Sequence, residues 1–471
     1  MNKYTAFFLA ALSVAEMQAQ TLQEAPRLVV NIAIDQLRTD YIEYFAPLYG
    51  PDGFRKLLNQ GKVYQAASYP YSPIDKASAI ATIATGTSPY YHGIVGNRWM
   101  DREKLRPIFC VDDAQYNSSP HHLVTSTIGD ELKVSTHGSA IVWSIAVDRE
   151  SAVLSAGHAA DGAVWIDSTS DTWRYSNYYR SSSPAWLSSY SKISGQKSDN
   201  QSDINDRITD LALVSVGSSA MGRDRFSDLL TLTYSAAPMN GRNVTNWQTE
   251  MESIYMQLDQ SIARLVSGIE ETLGKNHVLF VVTSTGYTTE TEEELASYRI
   301  PTGTFYINRT ANLLNMYLSA IFGQGRYVET CFANQLYFNH KLLEQKHIGI
   351  SDILQRAQEF LVLNTGVADI YTSERLLNGN NDILKLRNGF NPVISGDVII
   401  SIKPGWKLLN EETKETFSSR SSFVPFPIII YGADVNPERI TTPVTVDRIA
   451  PTIAKSICIR APNACSSEPL F

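Results

Sequence analysis

Two residues with clear chemical potential, Asp75 and Lys76, stand at the predicted start of a helix. Pro73 ends an extended segment, Asp75 is placed to cap a helix over about 76–85, and Gly86 follows as its terminator. The free N–H groups of such a helix start attract anions, and many phosphoryl-transfer enzymes place their nucleophile there. This chain places a carboxylate and an ammonium group there instead, so its chemistry depends on what the neighbouring elements contribute.

Six short apolar runs rich in β-branched residues predict strands buried on both faces of a parallel or mixed sheet, because they are near-continuous rather than alternating. The runs are 28–34, 140–147, 229–234, 278–283, 398–402 and 427–431. Helical patterns separate them, and the clearest of these covers 247–273. The alternation predicts an α/β fold, a layered α/β/α domain with a mainly parallel central sheet.

Ligands of open α/β sheets bind beyond the carboxyl ends of the strands, so the residues that follow each predicted strand form the candidate site. Asp35 follows the first run, Asp148 and Arg149 follow the second, and Thr285 follows the fourth. A hydrolytic metal site needs several carboxylates and imidazoles that converge on one point. Asp35 alone stands in a clear ligand position. The predicted sheet therefore has the shape of a metallohydrolase and lacks its ligands.

The composition excludes some classes of function. The chain has 471 residues, a formal net charge of −8 and a pI near 5.6, and it contains no basic run, which argues against nucleic-acid binding. No run after the N-terminal segment approaches the ~18 apolar residues that a membrane span needs. The length allows one large domain with insertions, or two to three domains.

The N-terminal segment, 1–19, has the pattern of a secretory signal peptide, because Lys3 precedes an apolar run and small residues continue to Ala19. We expect cleavage near Ala19–Gln20, which leaves a mature chain of 20–471 exported to the periplasm or cell envelope. A first core helix is the alternative, and the shortness of the run and the polar segment after it disfavour that alternative.

Two stretches interrupt the alternation of strands and helices and predict inserted cap segments, at about 165–205 and about 303–388. The first is rich in aromatic residues and serines, which predicts a cap with an aromatic underside. The second has helical patterns of its own.

Four cysteines raise the question of a disulfide. Cys458 and Cys465 could close a short loop in an oxidising compartment, and the sequence leaves the disulfide and the free thiols equally open. A cysteine-only metal site is not expected, because the chain has no CxxC pair.

Several longer motifs carry a resemblance to a known family. They are 29–38, 85–97, 127–133, 148–149 with 156–160, 395–398 and 447–452. Over nearly the whole mature chain, these motifs resemble the alkaline phosphatase superfamily. Within it, the chain resembles the branch of type I phosphodiesterases and nucleotide pyrophosphatases, together with bacterial periplasmic alkaline phosphatases that use a threonine nucleophile.

The resemblance implies two zinc ions, held by aspartates and histidines at the strand ends, and a Thr or Ser nucleophile at a helix N-terminus. Asp35 matches the first metal-binding aspartate, whereas Lys76 occupies the nucleophile position. Asn97 and Arg149 match groups that contact phosphate. The other ligand positions fall on Pro238, Arg242, Thr285, Gly286 and Pro425, and Val147 replaces a phosphate-contacting lysine.

These losses lead to a first hypothesis: a catalytically inactive, zinc-free pseudoenzyme of the cell envelope that acts as a binding or assembly subunit for other envelope proteins. No residue is then catalytic, and no metal is expected. Lys76 would pair with the buried Asp35 in place of zinc, since an unpaired buried carboxylate is costly. The vestigial pocket would comprise Asp35, Asp75, Lys76, Asn97, Arg149, Arg242 and Thr285.

Two alternatives remain open at this point. One is an active hydrolase of phosphate mono- or diesters with a rebuilt site and two zinc ions. The other is a receptor for a small anionic ligand, held by Lys76, Asn97, Arg149 and Arg242. Asp75 counts against phosphate as that ligand, because its carboxylate would occupy or repel the anion.

Overall fold

The computed structural model describes residues 25–193, 202–237, 247–288, 299, 301–418 and 424–471. Its strands, in chain order, are β1 (Leu28–Asp35), β2 (Lys62–Ser68), β3 (Arg98–Asp101), β4 (Arg106–Phe109), β5 (Val142–Ala146), β6 (Gly162–Asp167), β7 (Thr172–Tyr175), β8 (Asp228–Ser235), β9 (Val278–Ser284), β10 (Gly303–Tyr306), β11 (Val328–Phe332), β12 (Gln335–Phe338), β13 (Val367–Thr372), β14 (Val398–Ile402), β15 (Trp406–Asn410), β16 (Glu415–Ser418), β17 (Phe426–Gly432), β18 (Glu438–Ile440) and β19 (Val444–Thr445).

The helices, in the same order, are α1 (Thr39–Tyr44), α2 (Phe54–Gln60), α3 (Lys76–Thr85), α4 (Pro89–His92), α5 (Ile128–Ser135), α6 (Arg149–Ala156), α7 (Ala185–Ile193), α8 (Ser202–Ser218), α9 (Trp247–Leu273), α10 (Ile307–Phe322), α11 (His340–Gln345), α12 (Ile350–Leu361), α13 (Ser373–Asn378), α14 (Leu384–Gly389) and α15 (Ile449–Ser456). The predicted signal peptide (1–19), Pro238 and Arg242 lie outside the described residues.

A ten-stranded sheet forms the centre of the fold, with the order β18-β2-β17-β9-β1-β8-β5-β6-β7 and with β19 paired to β2. β1 lies between β8 and β9, and all three run parallel, which places Asp35 opposite Ser235. β17 and β7 run antiparallel to their neighbours. The prediction of a mainly parallel sheet is confirmed, and its central strands are buried on both faces.

Helices cover both faces of this sheet and form two apolar layers. One layer contains α3 and α6 and includes Val29 and Ile80, while the other contains α8 and α9 and includes Val30 and Ile262. Consecutive residues of β1 thus point into opposite layers, as expected for a strand. The predicted α/β/α layering is confirmed.

The second predicted insertion, 303–388, belongs to a region with a core of its own, which includes Leu314 and Leu408. Its sheets have the orders β10-β15-β16 and β11-β12-β14-β13. The run 398–402 is a strand, as predicted, but it pairs in the second of these sheets and not in the central one. Its residues are alternately buried and half-buried along the strand. The prediction required both faces of the strand to be buried, and only one of them is.

The first predicted insertion, 165–205, is in part an extension of the central sheet. Trp165 is buried in β6, which pairs with β5, and Trp173 lies in the edge strand β7. The sequence of β6, Gly-Ala-Val-Trp-Ile-Asp, is almost as apolar as the predicted strands, and Trp165 packs into the core rather than under a cap. Residues 194–201 of this stretch lie outside the described part of the chain.

The structure also bears on the possible disulfide between Cys458 and Cys465 and on the expected lack of a membrane span. Cys458 and Cys465 are both free in the structure, and Sγ of Cys465 lies 3.8 Å from the carbonyl oxygen of Ser467. Among the helices that the structure describes, none is long and apolar enough to cross a membrane, as predicted.

Candidate functional site

Helix α3 packs closely into the fold, and every residue of it except Lys76 is buried. Asp75 caps the helix: its Oδ1 accepts the N–H of Ser78 at 2.9 Å, and Ser78 Oγ accepts the N–H of Asp75 at 3.1 Å. Oδ2 of Asp75 accepts the N–H of Asn97 at 2.6 Å. Both carboxylate oxygens are therefore occupied, and their charge lies where a helix start would otherwise hold an anion.

Lys76 joins the ends of two strands. Its Nζ lies 2.8 Å from Oδ2 of Asp35, the last residue of β1, and 3.2 Å from Oδ2 of Asp148, which caps α6 after β5. The exposed fraction of the side chain is 30% for Lys76, 3% for Asp35 and 28% for Asp148, so Asp35 is the deeply buried partner. The expected ion pair between Lys76 and Asp35 is present, and Asp148 is a second partner.

The opposite charges of Lys76 and its two carboxylate partners shift the pKa values of Lys76 and Asp148 so that both groups stay ionised. Burial lowers the pKa of Lys76, but the carboxylates of Asp148 and Asp35 outweigh that effect and hold the Lys76 pKa well above its ordinary value. Burial raises the pKa of Asp148, but Lys76 and the N–H of Ser151 outweigh that effect and bring the Asp148 pKa below its ordinary value. Near neutral pH, Lys76 is therefore an ammonium ion and Asp148 is a carboxylate.

The second oxygen of Asp35 is bound by Thr285, which directly follows β9. Thr285 Oγ1 donates to Oδ1 of Asp35 at 2.9 Å and accepts the N–H of Gln36 at 2.9 Å. Thr285 is fully buried. Each carboxylate oxygen of Asp35 thus has a side-chain partner from another element, and the Thr285 hydroxyl donates and accepts at once.

Arg149 and Asn97, which the sequence resemblance predicted to match phosphate-contacting groups, are engaged with protein groups. Arg149 Nη2 lies 2.9 Å from Oε1 of Glu150 and 3.2 Å from Oδ1 of Asp112. Asn97 meets the start of α3 through its main-chain N–H, which binds Asp75. The positive charge of Arg149 is therefore already matched by two carboxylates.

The structure brings together part of the predicted pocket. Lys76 and Thr285 each contact Asp35, and together with Asp148, which pairs with Lys76, these residues form what we call the Lys76 cluster. Asp148 was named among the residues that follow the predicted strands, but it was left out of the predicted vestigial pocket, although it follows the second apolar run as Asp35 follows the first. Arg242 lies outside the described residues, and its predicted role stays a prediction.

The Lys76 cluster does not fit the two zinc ions that the family resemblance implies. Oδ2 of Asp35 faces an ammonium group at 2.8 Å, and its Oδ1 faces a hydroxyl donor at 2.9 Å. Within the described ranges, no three His, Cys, Asp or Glu side chains are grouped so that they could hold a metal ion. A protein zinc site usually takes three or four protein ligands, and the cluster offers one carboxylate in a family ligand position.

His92 and His158, the histidines inside the matched motifs, hold loops in place. His92 is buried, its Nε2 lies 3.1 Å from Oγ1 of Thr82, and its Nδ1 accepts the N–H of Ile94 at 3.1 Å. Burial lowers the pKa of His92 to about 3, so its ring is neutral. Nδ1 of His158 lies 3.0 Å from Oδ2 of Asp130. Both imidazoles therefore have structural partners within the protein.

Known proteins resemble this chain over nearly its full length. Alkaline phosphatase PafA of Elizabethkingia meningoseptica is 23% identical over 513 aligned positions, which cover 94% of each chain. Alkaline phosphatase PhoV of Synechococcus elongatus is 24% identical and covers 93% of this chain and 91% of its own. A protein of Myroides odoratus named calcium-transporting ATPase is 25% identical and covers 95% and 94%.

Solved structures agree with these matches at the level of the fold. The crystal structure of PafA superposes with a TM-score of 0.82 at 22% identity and covers 95% of this chain and 98% of its own. Murine ectonucleotide pyrophosphatase/phosphodiesterase 5 superposes with a TM-score of 0.56 at 12% identity. The family model of type I phosphodiesterase/nucleotide pyrophosphatase matches residues 29–423. The chain belongs to this family, within the alkaline phosphatase superfamily.

Proposed function

We propose that this chain is a catalytically inactive member of its family, exported to the periplasm or cell envelope and retained there as a binding or assembly subunit. The observation that carries the proposal is the Lys76 cluster. In it, an internal ammonium ion neutralises Asp35, the carboxylate that matches a metal-binding aspartate of the family. A cation supplied by the chain itself leaves no electrostatic demand for a bound metal at that carboxylate.

The protonated state of Lys76 supports the proposal that this chain does not catalyse ester hydrolysis. Ester hydrolysis at a site of this family's type depends on metal ions, which activate the nucleophile and neutralise charge in the transition state. Lys76 stands in the nucleophile position with two carboxylates that keep its amine protonated. A protonated amine has no free lone pair, so Lys76 is no phosphoryl acceptor in this state.

The anion-receptor alternative draws less support from the contacts. Lys76 and Arg149 are each matched by two carboxylates, so an incoming anion would have to displace existing ion pairs. The carboxylate of Asp75 adds a further negative charge at the start of α3.

An active phosphoesterase with an atypical site is the second candidate, and the match to alkaline phosphatases over 94% of the chain favours it. Such an enzyme would need metal ligands at positions other than the family's, since Pro238, Gly286 and Pro425 have no side-chain group that binds zinc.

Metal content and turnover separate the two candidates. We expect protein purified from its native compartment to contain zinc well below one equivalent per chain and to hydrolyse an aryl phosphate no faster than a heat-inactivated sample. PafA, assayed in parallel, serves as the positive control. Two zinc equivalents per chain together with measurable turnover would overturn the proposal.

The binding role needs a separate experiment, because inactivity alone identifies no partner. We expect affinity capture of the tagged chain from envelope extracts to recover one or more envelope proteins in a stoichiometric ratio. The Lys76→Ala variant, captured in parallel, reports whether the Lys76 cluster takes part. Recovery of the chain without any stoichiometric protein would contradict a role in assembly with other proteins.

A further inference from the structure

An open cleft of about 780 Å³ lies among the β3–β4 hairpin, the segment 112–122 and the residues that follow β7. Two tyrosines, Tyr116 and Tyr178, are among the residues that line it, and we call it the tyrosine cleft. Protein sites for small ligands are clefts of roughly 300 to 1,000 Å³ in which a few polar groups converge. Among the described residues, those that line the cleft include no member of the Lys76 cluster, so it is a separate site.

The two tyrosines of the cleft are held in place by the segments that carry them. Their rings lie perpendicular to each other, with 5.2 Å between the centroids. The N–H of Asn117 donates to Oδ1 of Asn177 at 2.9 Å, and the N–H of Asn177 donates to Oδ1 of Asn117 at 3.1 Å. These reciprocal hydrogen bonds join the residues next to Tyr116 and Tyr178. A ligand that packs on this pair therefore pays little for ordering it.

The carboxylates that line the cleft are fixed as well. Oδ1 of Asp101 accepts the N–H groups of Glu103 and Lys104, at 2.9 and 3.0 Å. Oδ1 of Asp113 accepts the N–H of Gln115 at 2.7 Å. An ionised carboxylate has about four lone-pair sites, so these main-chain donors orient the group and leave it able to accept further hydrogen bonds. The cleft thus presents fixed acceptors, which suit a ligand with several hydroxyl groups.

The same cleft also contains hydrogen-bond donors. Arg106 lines it, is exposed, and carries a guanidinium group that only donates. The ring of His122 lies perpendicular to the ring of Trp99 in β3, with 5.3 Å between the centroids. Burial and the neighbouring His121 lower the pKa of His122, so its ring is neutral near pH 7 and both donates and accepts.

The charges that line the cleft nearly cancel. Three carboxylates are present with Lys104 and Arg106. Lys104 lies 3.5 Å from Asp101, and Asp112 pairs with Arg149 at 3.2 Å. An anion would meet three carboxylates and a cation would meet two fixed cations, so like charges disfavour both classes of ligand. A neutral ligand rich in hydroxyl groups satisfies the donors and the acceptors together.

We propose that the tyrosine cleft binds a neutral oligosaccharide of two or three sugar rings. The sugar hydroxyls would donate to the carboxylates of Asp101 and Asp113 and accept from Arg106. The C–H groups of one sugar ring would pack on Tyr178, because an aromatic ring offers a large apolar face beside a polar hydroxyl. The site shares no residue with the Lys76 cluster, so the inference does not depend on catalytic inactivity.

Isothermal titration calorimetry of the purified chain tests the proposal with four neutral disaccharides: maltose, cellobiose, lactose and N,N′-diacetylchitobiose. We expect at least one of them to bind with a Kd of about 1 mM or below. Tyr178→Ala should weaken this binding at least about tenfold, since aromatic anchors dominate binding energy, whereas Tyr178→Phe keeps the ring and should retain it. The control Tyr44→Ala, at an exposed tyrosine of α1 outside the cleft, should bind as the wild type does.

Circular dichroism should show that all variants fold. Arg106→Gln, at an exposed residue, gives a second test, and it should weaken binding about threefold, as expected for one hydrogen bond. Inorganic phosphate or spermidine in large excess should not displace the bound disaccharide, because the cleft favours neither an anion nor a cation. Failure of all four disaccharides to bind, binding unaffected by both Tyr178→Ala and Arg106→Gln, or displacement by phosphate or spermidine would each overturn the proposal.

Discussion

Two buried carboxylates of this protein, Asp130 and Asp35, are satisfied in different ways. Asp130 accepts hydrogen bonds from three main-chain N–H groups, those of Thr127, His158 and Ala159, at 2.7 to 2.8 Å. It also pairs with the ring of His158. The side chain of Asp35 instead has two side-chain partners, an ammonium group and a hydroxyl.

The difference predicts how strongly each carboxylate is affected when a neighbouring side chain is substituted. Main-chain donors persist when a neighbouring residue changes, so Asp130 keeps most of its partners under substitution. The Asp35 side chain is 3% exposed, and Lys76 is the cation that pairs with it. A change at Lys76 removes this countercharge, and the nearby Asp148 adds negative charge rather than positive. A buried carboxylate held only through side chains, such as that of Asp35, is thus more vulnerable to substitution of its partners than one held by main-chain donors, such as that of Asp130. The predictions below test this contrast.

The largest effect is expected at Lys76. We expect Lys76→Ala to lower the free energy of unfolding by about 3 kcal/mol, because it leaves Asp35 buried and without a countercharge. This is the lower end of the range for a broken buried pair, since the Lys76 side chain is 30% exposed. Chemical denaturation measures the change. The control Lys104→Ala breaks an exposed pair 3.5 Å long and should cost about 0.5 kcal/mol or less. Equal stability of Lys76→Ala and the wild type would refute the pairing.

A smaller loss of stability is expected from Asp148→Asn, which removes the negative charge but keeps a side chain that can cap α6. Asn caps a helix about as well as Asp, so Asp148→Asn should mainly remove the second ion pair of Lys76. We expect a loss of about 1 kcal/mol, since Asp35 still pairs with Lys76 and Asp148 is partly exposed. Thermal denaturation provides the measurement. A loss as large as that of Lys76→Ala would show that Asp148, and not Asp35, is the main partner.

At Asp130, substitution of its partner His158 should cause a smaller loss of stability, and the size of that loss should depend on pH. The hydrogen bond to Asp130 raises the pKa of His158 above 6.5, so the stability from this shift is present below pH 6.5 and is lost as the pH rises through the raised pKa. Burial raises the pKa of Asp130, but His158 and main-chain donors outweigh it and bring that pKa below 3.8. The pair therefore contributes most between these two ordinary values.

We expect His158→Gln to destabilise the protein by about 1 kcal/mol or less in mildly acidic solution, with a difference that shrinks as the pH becomes alkaline. Melting temperatures of wild type and variant across that range give the comparison, with His121→Gln as the control at an exposed histidine. A difference that grows with pH would contradict the assigned sign.

No gain in phosphatase activity is expected from placing a threonine at position 76 alone. Lys76→Thr should not hydrolyse an aryl phosphate above the wild-type rate, even with added zinc, because the other family ligand positions remain Pro238, Arg242, Thr285, Gly286 and Pro425. Measurable turnover in this single variant would show that the family motifs have been mapped onto the wrong residues. The same variant should also lose stability, because Thr cannot replace the charge beside Asp35.

Much of the fold was predictable because strands buried on both faces have continuous apolar runs, and β1, β8 and β9 all have them. The placement of 398–402 in the central sheet was wrong. A short apolar run predicts a strand but not its neighbours, and this strand pairs with β12 and β13. Trp165 was taken for part of a cap because aromatic residues and serines follow it. Burial against the sheet decided its position instead.

The sequence by itself identified Asp35 and Lys76 as charged groups of the candidate site. From the family resemblance it also predicted that Lys76 stands at the nucleophile position and that the family's metal-binding histidines are missing. Side-chain identity is enough for that prediction. Only the tertiary structure decided that the amine lies between Asp35 and Asp148. That contact depends on the parallel pairing of β1 and β5 through β8, which brings residues far apart in the chain to one edge of the sheet.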